Sequence, residues 1–295
     1  MSNVIIPTRF QWRQDTAANW TANNPTMLEG EPGLETDTTW PNGGGRKFKI
    51  GDGVTAWNSL PYAVADTADP STFDPSASFY LYDDFLGTPP SSTAPNGDGS
   101  AWDLALISTG GAVTSVDGGP TSPGVWRISC GTTSTAAASI TMGATNNWSF
   151  GGGAATLKFR FRIPTLSTSG QRFSITLGFR QNFAGATTDQ VALAYSDNIN
   201  SGKPILRVIA GGATVDVNCT TTLAANTWYR GKIIVNAAGT QADLYINGTL
   251  EATTATGVPT AAMKLGCIVG KSVGATSMSV DLDYIELAQT LATPR

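Results

Sequence analysis

The sequence predicts an all-β chain, with a small β-rich N-terminal module, a linker and a larger antiparallel sandwich. Three observations lead there. Thirty-three Gly and 16 Pro among 295 residues suit many short strands joined by turns. From residue 79 onward, apolar and polar residues alternate in run after run. No amphipathic helix of three turns is apparent beyond a short segment around Asp15–Trp20. The composition shifts place the module at residues 1–62, the linker at 63–78, the sandwich at 79–289 and a short tail at 290–295.

The elements follow in order. In the module, Glu31–Asp37 and Arg46–Ile50 read as strands, and Gly51-Asp52-Gly53 as a tight turn. In the sandwich, Leu157, Phe159, Phe161 and Ile163 alternate with Lys158, Arg160 and Arg162, which marks a half-buried strand. Phe173, Ile175, Leu177 and Phe179 repeat the pattern. The two runs are expected to form a hairpin with Ile163 opposite Phe173, because that register keeps the apolar residues on one face. Further strands are expected around Val191–Tyr195, Leu206–Val208, Val215–Cys219, Tyr229–Val235, Leu244–Ile246, Leu265–Val269 and Val280–Leu287, with Asn247-Gly248 as a two-residue hairpin turn.

Composition also excludes chemistry. The chain has no histidine, so it holds no Ser-His-Asp triad and no imidazole metal ligand. Cys130, Cys219 and Cys267 are widely spaced and odd in number, which argues against zinc and a disulfide framework and fits assembly in a reducing compartment. A net charge of −4 argues against nucleic acid as a partner. No signal-like or membrane-spanning apolar run occurs, so no membrane insertion is expected. Carboxylate chemistry remains. A retaining glycanase needs two carboxylates about 5–5.5 Å apart, and no E-x-D-x-x-E run is present. Glu251 reads as a solvated strand end, and Glu286 is the only other glutamate after the linker. No catalytic residue is assigned and no enzyme is expected.

For binding, Lys158, Arg160 and Arg162, extended by Arg180, form a basic row. In the hairpin register it faces Ser174, Thr176 and Gly178, leaving an open strip for an acidic glycan or an acidic protein patch. A neutral sugar calls instead for an aromatic platform. Trp102, Trp126, Trp148 and Trp228 are the candidates, with Trp228 best placed because it lies on the strand face opposite Tyr229, Ile233 and Val235.

The segment TWYRGKIIVNAAGTQADLYINGTLEAT, residues 227–253, resembles the laminin-G and concanavalin A-like family. The resemblance implies a jelly roll of two stacked curved sheets over roughly residues 79–289, and no particular ligand, since that fold serves lectins, glycanases and inert domains. It also implies neighbouring first and last strands. Asp83 and Asp84, read as beginning the first strand, would then approach Asp281 and Asp283 on the last, as weak candidates for calcium. Strand-edge charge is the plainer role for these four. No other cofactor is expected.

The N-terminal blocks are Arg13-Gln14-Asp15-Thr16 with Trp20, Leu28-Glu29-Gly30-Glu31-Pro32-Gly33-Leu34-Glu35-Thr36-Asp37, and Lys49-Ile50-Gly51-Asp52-Gly53-Val54-Thr55-Ala56-Trp57 with Leu60. In order and spacing they resemble a module of bacteriophage tail fibres, tropism determinants and head fibres. The resemblance implies a β-prism-like trimer, with Arg13, Asp15, Trp20, Glu31, Lys49, Asp52, Trp57 and Leu60 as its trimerising and docking residues. One departure is the longer loop 38–45, whose Trp40 would contact another virion protein. So few apolar residues in about 60 would need burial from a trimer. The expectation is a homotrimeric structural protein of a virion surface, made in the host cytoplasm. It would be a head decoration, cement or head fibre docked on the major capsid protein. The alternative is a receptor-binding tail fibre, docked on a tail protein, that recognises a host surface glycan; a glycan depolymerase is less favoured.

Overall fold

The computed structural model describes residues 12–39, 46–62, 75–91, 102–107, 110–143 and 145–294. The chain divides into two compact units, Met1–Asp74 and Pro75–Arg295.

In the first unit, β1 (Arg13–Asp15) pairs in parallel with β2 (Pro32–Thr39), which pairs antiparallel with β3 (Arg46–Ile50). A two-turn helix α1 (Ala17–Asn23) begins where the Thr16 hydroxyl accepts the Asn19 N–H. It ends at Asn24 in the left-handed region, φ 39°. Trp20 and Trp57 stack with ring centroids 4.1 Å apart, and with Met27 they form a buried cluster inside one chain. The turn at 51–53 needs glycine at its start, because a Cβ on Gly51 would lie 2.2 Å from the Leu28 carbonyl oxygen.

The second unit is an antiparallel sandwich of two sheets. The seven-stranded sheet runs β13-β12-β11-β10-β17-β8-β5. Its members are β5 (Trp102–Ile107), β8 (Ala137–Met142), β10 (Phe173–Arg180), β11 (Gln190–Tyr195), β12 (Ile205–Ala210), β13 (Ala213–Asn218) and β17 (Lys264–Lys271). The eight-stranded sheet runs β16-β15-β14-β9-β18-β7-β6, with β4 also on β18. Its members are β4 (Ser78–Asp83), β6 (Ala112–Ser115), β7 (Trp126–Ser129), β9 (Ala155–Arg162), β14 (Trp228–Val235), β15 (Ala242–Ile246), β16 (Thr249–Thr254) and β18 (Ser279–Thr290). Apolar inner faces of both sheets form one core, including Phe159, Phe161, Leu177, Val191, Ile233 and Leu282. Cys130, Cys219 and Cys267 are buried free thiols.

The expected 163/173 hairpin does not form. β9 pairs with β14 and β18, while β10 pairs with β11 and β17 in the other sheet. The segment 163–172 crosses between layers. Two strands that share a core show the same alternation whether they lie side by side or face each other, so the period alone does not choose. The Asn247-Gly248 turn is found as expected, with φ of 52° and 89° and Ile246 opposite Thr249. First and last strands are neighbours, since β4 lies against β18 with Asp83 opposite Ile285. Asp83 ends β4 rather than beginning it, and Asp84 follows the strand.

Candidate functional site: tryptophan clefts and an ionic layer

The inward side chains of β9 are fully buried, so Lys158, Arg160 and Arg162 stand on the outer face of the eight-stranded sheet. They are not an open basic strip. β18 sets an acidic row against them: Lys158 Nζ reaches Glu286 at 2.7 Å, Arg160 reaches Asp283 at 2.5 Å and Arg162 reaches Asp281 at 2.6 Å. Arg127 from β7 donates two hydrogen bonds to Asp281 from the other side, at 2.6 and 2.9 Å. Asp281 has no exposed surface, so among the described residues this carboxylate is compensated by its two arginines. The row therefore forms an ion-paired layer on that outer face. Arg180, expected to extend it, lies at the end of β10 in the opposite sheet.

The calcium candidates are engaged in the same way. Asp83 accepts from Trp102 Nε1 at 2.6 Å and from the Phe85 N–H at 2.8 Å. Asp84 accepts from the Tyr82 hydroxyl. Among the described residues, no group of three or more His, Cys, Asp or Glu could hold a metal ion. Glu251 is not a solvated end. It accepts four hydrogen bonds from the N–H and hydroxyl groups of Thr220 and Thr221, at 2.6 to 3.1 Å, fastening that segment to β16. Burial raises its pKa, but those four donors outweigh burial and hold it below the ordinary value.

Of the four tryptophans, Trp102 and Trp126 are core residues, 0% and 2% exposed, and are out of reach of a sugar. Trp228 and Trp148 keep part of their rings in solvent. Trp228 is opposite Arg162 on β14, with the Arg160 and Arg162 guanidinium carbons 4.7 and 4.6 Å from its ring centre. With Arg160, Arg230 and Asn247 it lines a shallow depression of about 570 Å³. The structure thus brings Arg160, Arg162 and Trp228 together, while Lys158 sits further along the same strand.

Trp148 lies elsewhere, in a cleft of about 520 Å³ also lined by Phe79, Asn147, Ser149, Gly152, Gln289, Leu291 and Thr293. Its ring meets Phe79 edge-on at 4.7 Å. Backbone bonds between Trp148 and Met263 hold it at 2.7 and 3.0 Å. Among the described residues, the lining carries no charged side chain. Trp148 had a sequence signal as an aromatic platform. Gln289, Ser149 and Phe79 had none, because strand ends distant in sequence assemble the cleft.

In the N-terminal unit most motif residues hold the unit itself together. Trp20, Trp57 and Leu60 are buried, and Trp20 Nε1 donates to the Leu34 carbonyl at 2.9 Å. Lys49, 6% exposed, donates to the Trp57 carbonyl at 2.7 Å and lies over the Trp57 and Tyr62 rings; burial lowers its pKa against the opposing pull of Glu35. Asp15 accepts from the Thr16 N–H and the Asn19 side chain. Arg13 approaches Glu31 at 3.7 Å and lies over Trp20. Asp52 accepts from Val54, from Thr55 and from the Thr55 hydroxyl, and these bonds, led by the hydroxyl, hold its pKa at about 2. Trp40 lies outside the described residues.

A family model described as SO2946-like, C-terminal domain, matches residues 121–283, more than half of the chain. The chain belongs to the SO2946-like C-terminal domain family. The crystal structure of SO2946 from Shewanella oneidensis MR-1, a protein of unknown function, superposes with TM-score 0.54 at 18% identity, covering 75% of this chain and 90% of that one. This likeness shows that the SO2946-like domain shares its sandwich fold. Looser similarities include the Emp47p carbohydrate recognition domain, with TM-score 0.48, 15% identity and coverage of 74% and 99%. A carbohydrate esterase of the Shiga toxin-encoding bacteriophage phi24B gives TM-score 0.46, 12% identity and coverage of 71% and 100%. No curated protein matches the sequence. The SO2946-like match begins at residue 121, so the resemblance of residues 1–62 to phage fibre modules rests on its own motif.

Proposed function

We propose that this chain is a non-enzymatic surface protein of a bacteriophage virion, homotrimeric through residues 1–62, whose jelly roll binds a glycan. The observation that carries the binding half is the Trp148 cleft. It offers a partly exposed indole, a second ring inclined to it at 66°, and amide and hydroxyl side chains with no charge among them. A concave site with an apolar floor and a few convergent polar groups fits a small polyhydroxylated ligand, and uncharged hydrogen-bonding partners favour a neutral sugar over an anionic one. The virion half rests on the N-terminal motif. The non-enzymatic reading is supported by the absence of histidine and by the engagement of Asp281, Asp283 and Glu286 with cations.

A glycan array of the full chain tests this reading. Wild type is expected to retain neutral oligosaccharides and to lose most of the signal with Gln289→Ala or Trp148→Ala, while Trp228→Ala keeps it. An array with no neutral ligand for wild type, together with stable attachment to emptied capsids, would leave a capsid cement in its place.

A further inference from the structure

The outer face of the seven-stranded sheet carries a cation, Arg180, that no carboxylate pairs with among the described residues. Core-facing Phe179 and Val191 are buried, so their neighbours Arg180 and Gln190 point to the other side. Arg180 is directly opposite Gln190 on β11 and Lys264 on β17. The next row beyond them is Gly266, Gly178 and Ala192, followed by Arg207. Small residues leave a hollow floor there, and the ring of Phe183 from the 181–189 segment fills it. A Cβ on Gly266 would lie 3.1 Å from Phe183 Cζ.

Three cations therefore meet on this face, and among the described residues one carboxylate answers them. Arg207 holds Asp216 through two hydrogen bonds of 2.7 Å. Among the described residues, Arg180 has one hydrogen bond, from Nη2 to the Gly185 carbonyl at 2.7 Å, and its guanidinium lies 5.9 Å from the Phe183 ring centre. Its Nε is buried and has no partner. Gln190 is 2% exposed, and its Nε2 is buried without a partner as well. Burial, and secondarily repulsion from Arg207, make the charged form of Arg180 harder to keep. Buried donors are nearly always hydrogen-bonded, and a buried charge is nearly always paired. Two orphan donors on directly opposed residues, one of them cationic, define a receptor for an oxygen anion.

We propose that the hollow under Phe183 binds the carboxylate of an acidic saccharide unit, with Arg180 and Gln190 each donating to it and Lys264 at its rim. A planar pair of oxygens suits a guanidinium N–H and an amide N–H presented side by side. The saccharide assignment rests on the glycan-binding reading above; the anion site itself rests on these residues alone. Phe183 shields the donors, so the ligand enters as its ring swings off the glycine floor.

The test is a titration of the full chain with glucuronic acid and with glucose, which differ in the carboxylate, followed through the backbone amide signals of residues 178–190. Glucuronate is expected to shift these signals and glucose to leave them unmoved. Arg180→Gln should weaken glucuronate binding by roughly tenfold or more, because it removes the charged donor. Gln190→Leu preserves the charge and the packing and should weaken it several-fold, Phe183→Ala should strengthen it, and Trp148→Ala should leave it unchanged. Equal shifts from both sugars, or undiminished glucuronate binding by Arg180→Gln, would overturn the proposal. Failure of glucuronate on a wild type that still binds neutral sugars at Trp148 would remove this subsite and leave the glycan-binding reading standing.

Discussion

Asp281 shows what the outer face of the sandwich asks of one residue. Its carboxylate is fully buried between Arg127 and Arg162. Removing the charge strands two guanidinium groups, so Asp281→Asn should cost about 3–5 kcal/mol in urea unfolding. Lys158→Ala, at a pair whose lysine is 44% exposed, should stay within about 1 kcal/mol. Asp52 makes a prediction about pH. Its folded pKa is depressed to about 2, so its stabilisation is fully present above the ordinary carboxylate range and is lost as pH falls through 2. Melting of the N-terminal unit should steepen with acid over that window, and Asp52→Asn should flatten the steepening. The row Lys158, Arg160 and Arg162 was legible as a row. Its partners were not, because the acidic row on β18 lies more than 115 positions away in sequence and only strand order brings it alongside.

At the scale of the element, β9 and β14 show how far alternation carries. The inward residues of both strands follow from period two alone, and the Asn247-Gly248 turn follows from residues that accept positive φ. Phe161→Ala should cost about 3–5 kcal/mol, since the ring is 1% exposed in the core. Gly231 interrupts the apolar stripe of β14 for a reason that only packing reveals. It pairs with Phe159, and a Cβ there would lie 2.1 Å from that ring. Gly231→Ala should therefore destabilise by about 1–3 kcal/mol through overpacking, readable in the same urea melt. The strand partner of β9 stayed hidden, because a buried face carries no label for which sheet buries it.

The chain divides into the units Met1–Asp74 and Pro75–Arg295, while the shift in composition places a linker at 63–78. The N-terminal motif was legible residue by residue, but the structure gives several of its members work within one chain. Trp20 and Trp57 stack on each other, and Leu60 is buried. Among the described residues, the large apolar side chains this unit leaves open are Trp12, Leu28, Ile50 and Val54, at 45%, 76%, 48% and 81% exposure. A trimer through residues 1–62 would cover such groups. Light scattering is expected to show a trimer for wild type and dissociation for the double variant Leu28→Ser, Val54→Ser, with unchanged circular dichroism; a wild-type monomer at micromolar concentration would contradict that. For the jelly roll, we propose binding of sugar at Trp148 without cleavage. The most direct measurement is calorimetric titration of wild type and Gln289→Ala with a neutral oligosaccharide retained on the array, while reducing ends are followed in the same cell. Wild type is expected to bind saturably, the variant to bind at least roughly tenfold more weakly, and no reducing ends to be released. Equal affinities for the two proteins, or steady release of reducing ends by wild type, would contradict this proposal.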